Sequence, residues 1–555
     1  MQLGMQRARS GVASRPAGQA RGVAAAAAFQ LAPPAPRALP AAAAGAAQQQ
    51  QQQQQQQGRA ARLAAAQQPR PQRLVRAAAA GQAAAPPAPA DQVLSQLRRI
   101  IDPDFGEDIV ACGFVKDLQI DQQSGEVAFK LELTTPACPV KDQFKREATA
   151  YVQELPWVRS VDVTITSQPK KPLVAGDNGR PGGLRGVRHI IAVSSCKGGV
   201  GKSTTSVNLA LTLAQMGAKV GIFDADVYGP SLPTMVSPEL RILRMDPETR
   251  AIVPTEYEGV KLVSFGFAGQ GSAIMRGAMV SGLIQQMLTT AEWGDLDYLV
   301  LDFPPGTGDI QLTLCQTVAI SAAVVVTTPQ RLAFVDVAKG IRMFAKLAVP
   351  CVAVVENMSY FDGDDGRRYR PFGEGSGARI QADFGVPNLV RFPIVPELSA
   401  AGDGGTPLVV SDPAGPVGTA FMELGAAVVR EVAKLSAGQS KNSVSWDEAR
   451  GVVTVKLSGR DAFSLRPADV RRADTSAATI NEWTGERVAP AEVGEGIKPM
   501  GIAPVGNYAV QITWEDGFNQ VAPFEVLAGL EPQAVESPTV VATVGGLQAT
   551  AEITG

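Results

Sequence analysis

The run Cys196-Lys197-Gly198-Gly199-Val200-Gly201-Lys202-Ser203-Thr204 constrains this 555-residue chain more than any other feature. An apolar stretch, His189–Ser195, precedes it, and apolar residues at helical spacing, Ser203–Gln215, follow it and close at Gly217. Strand, glycine-rich loop, Lys-Ser and helix stand in the order that a phosphate cradle requires. Gly198, Gly199 and Gly201 let successive backbone N–H groups turn inward around phosphate oxygens, and the helix N-terminus adds its positive end. Lys202 is placed to reach the β- and γ-phosphates, and the Ser203 hydroxyl to sit on Mg²⁺. All nine residues, Cys196 through Thr204, are expected to line the nucleotide.

Two acidic stations follow. Asp224 and Asp226 close the apolar strand Lys219–Phe223, and Asp302 closes Tyr298–Asp302 ahead of a Pro-Pro-Gly-Thr-Gly turn. Carboxylates at strand C-termini beside a phosphate loop can hold Mg²⁺ waters or orient an attacking water. Other chemistries are poorly supplied. The chain has one histidine, His189 at the start of a strand, which reads as an ordinary strand-edge residue. Its five cysteines (Cys112, Cys138, Cys196, Cys315 and Cys351) contain no Cys-x-x-Cys, which excludes a disulfide scaffold and a local zinc knuckle. Cys315 and Cys351 read as core packing. A reducing compartment is the default.

The phosphate loop opens a long alternation of strands and helices. Strands are expected at His189–Ser195, Lys219–Phe223, Val260–Phe265, Tyr298–Asp302, Ala322–Thr327 and Cys351–Glu356, with helices such as Ser203–Gln215, Met279–Thr290 and Ala333–Leu347 between them. That alternation predicts an α/β fold over 187–436, a doubly wound, mostly parallel sheet covered on both faces. Before it, residues 91–168 predict a small α+β domain. Its elements are a helix over 91–101, strands Ile109–Ile120 and Glu126–Leu133, a helix from about Val140 to Glu154, and a strand Val158–Thr166. Residues 169–186 read as a linker, 441–530 as a small β-rich domain, and 531–555 as a poorly ordered tail.

Residues 1–90 differ from all of this. They hold ten Arg, no Lys, Asp or Glu, and a Gln run from Gln48 to Gln57. Such a segment cannot bury a core, and an Arg-rich, acid-free start reads as an organelle transit peptide. The whole chain has a net charge of −2, so everything after the leader is acidic, with no positive excess to attract nucleic acid. No run of 18 or more apolar residues occurs, so no membrane span is expected.

The loop with its second lysine, Lys197, resembles the deviant Walker A class of P-loop ATPases, which includes MinD, ParA and the nitrogenase iron protein. The resemblance implies Mg²⁺-dependent ATP hydrolysis and a homodimer in which Lys197 reaches the nucleotide of the partner subunit. It also implies that Asp226 is the switch I carboxylate, Asp302 the Walker B carboxylate, and Asn357 the adenine-reading residue. Lys197, Lys202, Asp226 and Asp302 are then the catalytic set, with Ser203, Asp226 and Asp302 around Mg²⁺.

CKGGVGKST, DADVYGPSLP, DFPPGTGD, TTPQ and VENM together resemble the Mrp/NBP iron–sulfur carrier branch of that class. Thr134-Thr135-Pro136-Ala137-Cys138-Pro139 resembles the reactive loop of the small iron–sulfur assembly domain. Leu465–Arg471, Asn507–Val510 and Trp514–Gly517 resemble the N-terminal domain of γ-butyrobetaine hydroxylases. Three such domains in this order are similar to chloroplast [4Fe–4S] scaffolds of the high-chlorophyll-fluorescence type. The resemblance implies an ATP-binding carrier that passes [4Fe–4S] clusters from upstream donors to apoproteins such as photosystem I subunits. It places the chain in the chloroplast stroma, with the mitochondrial matrix as the alternative.

The chain departs from the family in two places. Mrp-type carriers have a Cys-x-x-Cys just after Asn-Met, and the chloroplast type keeps one cysteine there; this chain has Ser359. The C-terminal domain often holds zinc, yet no Cys or His follows Ser436. The resemblance of its Pro-flanked loop makes Cys138 the expected cluster thiol, reachable and helped by another exposed cysteine or by a partner's ligands, where the loop alone reads as a packed turn. Cys196, beside Lys197 and a helix N-terminus, offers a thiol of lowered pKa that oxidation could turn into a switch on the cradle, set against the favoured reading that a cysteine is simply tolerated there. Two competing readings follow: an ATP-gated adaptor paralogue that has lost its cluster ligands, and a ParA/MinD-like positioning ATPase.

Overall fold

Continuous apolar runs, rather than alternating ones, build the centre of the molecule. Leu296–Asp302 and Ala322–Thr327 are buried at every position, as strands covered on both faces must be. The computed structural model describes residues 88–167, 182–268, 277–306, 308–436, 442–458, 460–474 and 493–533. The leader up to residue 87, residues 168–181 of the linker region and the tail from 534 lie outside the described residues.

The N-terminal unit runs α1 (Pro89–Leu97), β1 (Val115–Asp121), β2 (Glu126–Leu133), α2 (Lys141–Gln153) and β3 (Ser160–Ser167). β1 pairs antiparallel and β3 parallel with β2. The helices bury Val93, Leu97, Phe144, Ala148 and Val152. α1 stops four residues short of its expected end, and β1 starts six residues late. The segment between them is tied into turns by two carboxylates. Asp102 accepts the N–H groups of Asp104 and Phe105, and Asp108 those of Val110 and Ala111. Such side-chain acceptors compete with helix and strand alike.

The central unit follows as β4 (Val187–Ser194), α3 (Lys202–Gln215), β5 (Val220–Asp224), α4 (Leu232–Met235), β6 (Arg244–Met245), β7 (Ile252–Val253), β8 (Thr255–Tyr257), β9 (Val260–Ser264), α5 (Gly277–Thr290), β10 (Leu296–Asp302), α6 (Asp309–Thr317), β11 (Ala322–Thr327), α7 (Arg331–Lys346), β12 (Cys351–Asp362), β13 (Arg368–Tyr369), α8 (Gly377–Phe384), β14 (Leu389–Pro393), α9 (Pro396–Asp403), α10 (Leu408–Ser411) and α11 (Pro416–Ser436). Its sheet has the order β13-β12-β11-β4-β10-β5-β9-β8, with β14 also paired to β12. β8 and β13 are antiparallel to their neighbours and the rest of the sheet is parallel. One apolar layer lies under α3 and α11, the other under α5, α6, α7 and α8. This is the doubly wound α/β arrangement. β12 continues six residues past its expected stop at Glu356, through Met358 at φ 56°.

The C-terminal unit comprises β15 (Ser443–Asp447), β16 (Val452–Lys456), β17 (Phe463–Leu465), α12 (Pro467–Arg472), β18 (Pro499–Val505), β19 (Ala509–Trp514), β20 (Asn519–Pro523) and α13 (Phe524–Ala528). Two three-stranded antiparallel sheets close over Trp514, whose indole N–H donates to Gln520. This unit seats on the central sheet where the Cys351 N–H donates to the Tyr508 hydroxyl, at 2.9 Å. Among the described residues no helix is long and apolar enough to cross a membrane.

Candidate nucleotide site

β4, β5 and β10 lie side by side in the sheet, so their C-terminal ends bring the glycine-rich loop, the Asp224–Asp226 turn and Asp302 together. Gly199 and Gly201 sit at φ 77° and 87°, a backbone region that side chains disfavour. A Cβ on Gly201 would lie 2.2 Å from the Asn357 amide nitrogen, so the loop is closed against a neighbour as well as turned. α3 starts one residue earlier than expected, at Lys202. Gly198, Gly199, Gly201, Lys202, Ser203, Thr204 and Asp226 line an open cleft of about 500 Å³, whose far wall comes from Pro230, Ser231 and α9. That volume is in the range of small-ligand sites.

A buried ion pair sits at the base of the cleft. Lys202 Nζ lies 2.6 Å from Asp302 Oδ1, with both side chains less than a tenth exposed. The Ser206 hydroxyl donates to the same oxygen at 2.7 Å, and Lys202 Nζ also donates to Ser203 Oγ at 3.1 Å. Asp224 is fully inside. It accepts the N–H groups of Asp226, Ser231 and Leu232 and the hydroxyl of Ser264, all at 3.0–3.3 Å. Burial first, and then the Asp302 carboxylate, push Asp224 above the usual carboxylate range, against Lys202 and those N–H donors. Asp226 is half-buried and raised by burial, opposed by Lys202 and by the Gly229 N–H. Lys197 is exposed, and its carbonyl accepts the Ser195 hydroxyl. Asn357 is buried and donates its amide to the Val200 carbonyl at 2.8 Å, so here it braces the loop.

Asp224 was expected here as one of the strand-end carboxylates, whereas Ser206 was not expected at the site. Ser206 follows Ser203 by one helical turn inside an otherwise apolar helix face, and that spacing was the available signal. Asp224 shapes the cleft through its acceptors and holds the turn that presents Asp226.

Cys196 lacks the lowered pKa that a redox switch requires. Its side chain leaves the loop on the α7 side, where a Cβ on Gly340 would lie 2.3 Å from Sγ. Burial pushes the thiol up to about 11, so its acidity is reduced rather than enhanced. His189 is half-buried within β4, its ring 5.6 Å from that of Tyr298. β4 is an interior strand, so this residue is at a strand end rather than a sheet edge. Cys351 is fully buried and Cys315 packs against the same apolar layer.

Three family models match the chain: NUBPL iron-transfer P-loop NTPase over 186–429, iron–sulfur cluster assembly protein over 90–165, and γ-butyrobetaine hydroxylase-like N-terminal domain over 444–528. The chain is 62% identical over 441 residues to the Fe-S cluster assembly factor HCF101, chloroplastic, of Arabidopsis thaliana, covering 79% of this chain and 82% of that protein. It belongs to the HCF101 family of Fe-S cluster assembly factors. The iron-sulfur cluster carrier protein of Synechocystis is 42% identical over 329 residues, 58% of this chain and 92% of that one. Among solved structures, a nucleotide-binding protein in complex with ADP from Archaeoglobus fulgidus aligns at 37% identity over 40% of this chain and 88% of that chain, with a TM-score of 0.36.

Within that family frame, Cys138 lies apart from the nucleotide residues. Cys138 precedes α2 and lies against α11, beside the N-terminal ends of the central strands, not their C-terminal ends. It is half-buried over a void of only about 10 Å³ shared with Asp102, Asp104, Thr135, Val429 and Arg430. Burial pushes its thiol up to about 11. The expectation of a reachable thiol is therefore corrected: the Pro-flanked loop docks instead of projecting. Ser359 is buried, and its hydroxyl donates to the Glu356 carbonyl at 2.6 Å. Among the described residues no group of three or more His, Cys, Asp and Glu is arranged to hold a metal ion.

Proposed function

We propose that this chain is an ATP-using scaffold that receives a [4Fe–4S] cluster as cargo and passes it to apoproteins in the chloroplast stroma. The nucleotide half is supported by the Lys202–Asp302 pair at the base of a glycine-turned cleft. A phosphate there meets the loop N–H groups and the Lys202 ammonium, with water excluded from the pair beneath. The Ser203 hydroxyl and the Asp226 carboxylate are hard oxygen donors on the same cleft wall, with Asp302 behind, and they suit Mg²⁺. Bound there, Mg²⁺ would neutralise charge on the β- and γ-phosphates. Exposed Lys197 supports a homodimer in which it reaches across to the second nucleotide. Asn357 keeps its proposed place beside the adenine while bracing Val200.

The cluster half is supported by similarity across all three units, and the acid-free leader supports plastid import. Cys138 is the proposed cluster thiol, completed by a second cysteine or by ligands of a donor or client. One observation favours a second reading. Ser359 is buried and committed to Glu356 where relatives of this type carry a cysteine, which fits an adaptor that gathers assembly partners without a cluster of its own.

The discriminating experiment loads the anaerobically reconstituted chain with iron and sulfide and adds an apo [4Fe–4S] acceptor, with and without Mg-ATP. Recovery of acceptor activity that requires the loaded chain supports the scaffold. Full recovery from free iron and sulfide alone, with no contribution from the chain, contradicts it.

A further inference from the structure

The loop that carries Cys138 is built into the back of the nucleotide domain. Ala137 is fully buried within the apolar layer under α3 and α11. Lys141 Nζ donates to the Met216 carbonyl at 2.8 Å, at the C-terminus of α3, and to Pro136 O at 3.2 Å. The hydroxyls of Thr135 and Tyr298 are 3.2 Å apart, both buried, so the same loop also grips the start of β10. Arg188 of β4 donates to the Thr134 carbonyl, and Arg430 of α11 pairs with Asp104 at 3.6 Å, completing the wall around the thiol.

Two of these anchor points belong to elements whose other ends form the cradle. α3 carries Lys202 at its first residue and meets Lys141 just past its last, about 21 Å away at 1.5 Å per residue. β10 carries Asp302 at its C-terminal end and Tyr298 about 13 Å earlier. The Lys202–Asp302 pair fastens α3 to β10 at the front, and the Cys138 loop bridges the same two elements at the back. A phosphate entering the cradle competes with Asp302 for the Lys202 ammonium. That changes the fastening at the front, and packed elements answer such a change as bodies rather than by bending. A loop holding both elements at once fits only one relative placement of them.

We infer that the nucleotide site and the docking of residues 134–141 are coupled through α3 and β10, so that ATP loosens the dock and uncovers Cys138. This deepens the proposed function by giving ATP a role in exposing the cluster thiol, and it rests on that reading. Coupling between sites is reciprocal for binding free energies. Whatever factor ATP contributes to undocking, undocking must return to ATP affinity.

The test is residue-resolved alkylation of the full chain with an iodoacetamide probe, read by mass spectrometry, with and without Mg-ATP. A fluorescent ATP analogue reports occupancy in the same sample. Cys138 should label about threefold faster or more with ATP, with Cys351 unchanged as a reference for global unfolding. Lys141→Ala should label fast without ATP and bind the analogue more tightly by a matching factor. Tyr298→Phe serves the same purpose if the first variant does not fold. Cys138 labelling that rises less, stays level or falls at full occupancy overturns the coupling, as does an undocked variant with unchanged ATP affinity. No occupancy at all sinks the nucleotide reading and the coupling with it. Labelling needs no cluster, so failed iron loading leaves this result separately readable.

Discussion

The two ends of the central sheet are built on opposite principles. At the C-terminal ends of the strands, an open cleft of about 500 Å³ is lined by glycine, hydroxyl and carboxylate groups over a buried ion pair. At the other end, a void of about 10 Å³ surrounds a thiol among apolar and paired groups. The first end is made to admit a charged ligand and the second to withhold a reactive atom. Burial raises the carboxylates and the thiol alike: Lys202 and backbone donors oppose it at Asp224 and Asp226, and a backbone hydrogen bond from Val140 and the Lys141 charge oppose it only in part at Cys138. The cleft and Cys138 thus lie at different ends of the sheet, and the proposed function requires that something connect them.

The largest expected effect is at the cleft. Lys202→Ala leaves Asp302 buried without its cation, and breaking such a pair typically costs about 3–5 kcal/mol. ATP hydrolysis should fall about 10²–10³-fold, and the denaturation midpoint should drop, measured by phosphate release and by urea titration. Wild-type hydrolysis in this variant would mean that the cleft is not the nucleotide site.

Next in size is the pH response of the thiol end. With Cys138 raised to about 11, about one thiol in a thousand is ionised at pH 8, and the thiolate is the reacting form. Its folded-state alkylation should climb about tenfold per pH unit from 7 to 10 without levelling off. Levelling off between about pH 9 and 10 would show an ordinary exposed cysteine and erase the contrast between the two ends.

Cys196 should change little. Its thiol faces Gly340 and is also raised, so mild oxidant should leave ATP hydrolysis within about twofold, as should Cys196→Ser. Inactivation reversed by reductant would restore the redox switch. The smallest effect is at the seam. Tyr298→Phe removes one hydroxyl contact with Thr135, and stability should fall by about 1 kcal/mol, measured by chemical denaturation.

The contrast between the two ends also marks what could be read from sequence. The cradle was legible because its elements are local: a strand, three glycines, Lys-Ser and a helix within one short stretch. Asp224 and Asp302 were legible because each ends an apolar strand, and Asp226 because it follows two residues on. The strand positions of the sheet were close to expectation for the same reason, while β14 and the far half of β12 were missed. β12 continues through a left-handed Met358 that no apolar pattern announces. The condition of Cys138 was not legible. Its Pro-flanked loop looks exposed until Ala137 enters another unit's core and Lys141 caps a helix more than 70 residues away. Cys196 failed likewise, since adjacency to Lys197 says nothing about which side of the loop a side chain leaves. Contacts between units of distant sequence decide both cysteines, and no local spacing encodes them.

On the proposed function, this chain holds a cluster despite Ser359, using Cys138. The most direct measurement is iron and sulfide per dimer, with the visible spectrum, after anaerobic reconstitution of the wild-type chain and Cys138→Ala side by side. A broad band near 400 nm and about four irons per dimer are expected in the wild type, with both lost in the variant. Equal iron in the two proteins, or a colourless wild type that still hydrolyses ATP, would contradict it.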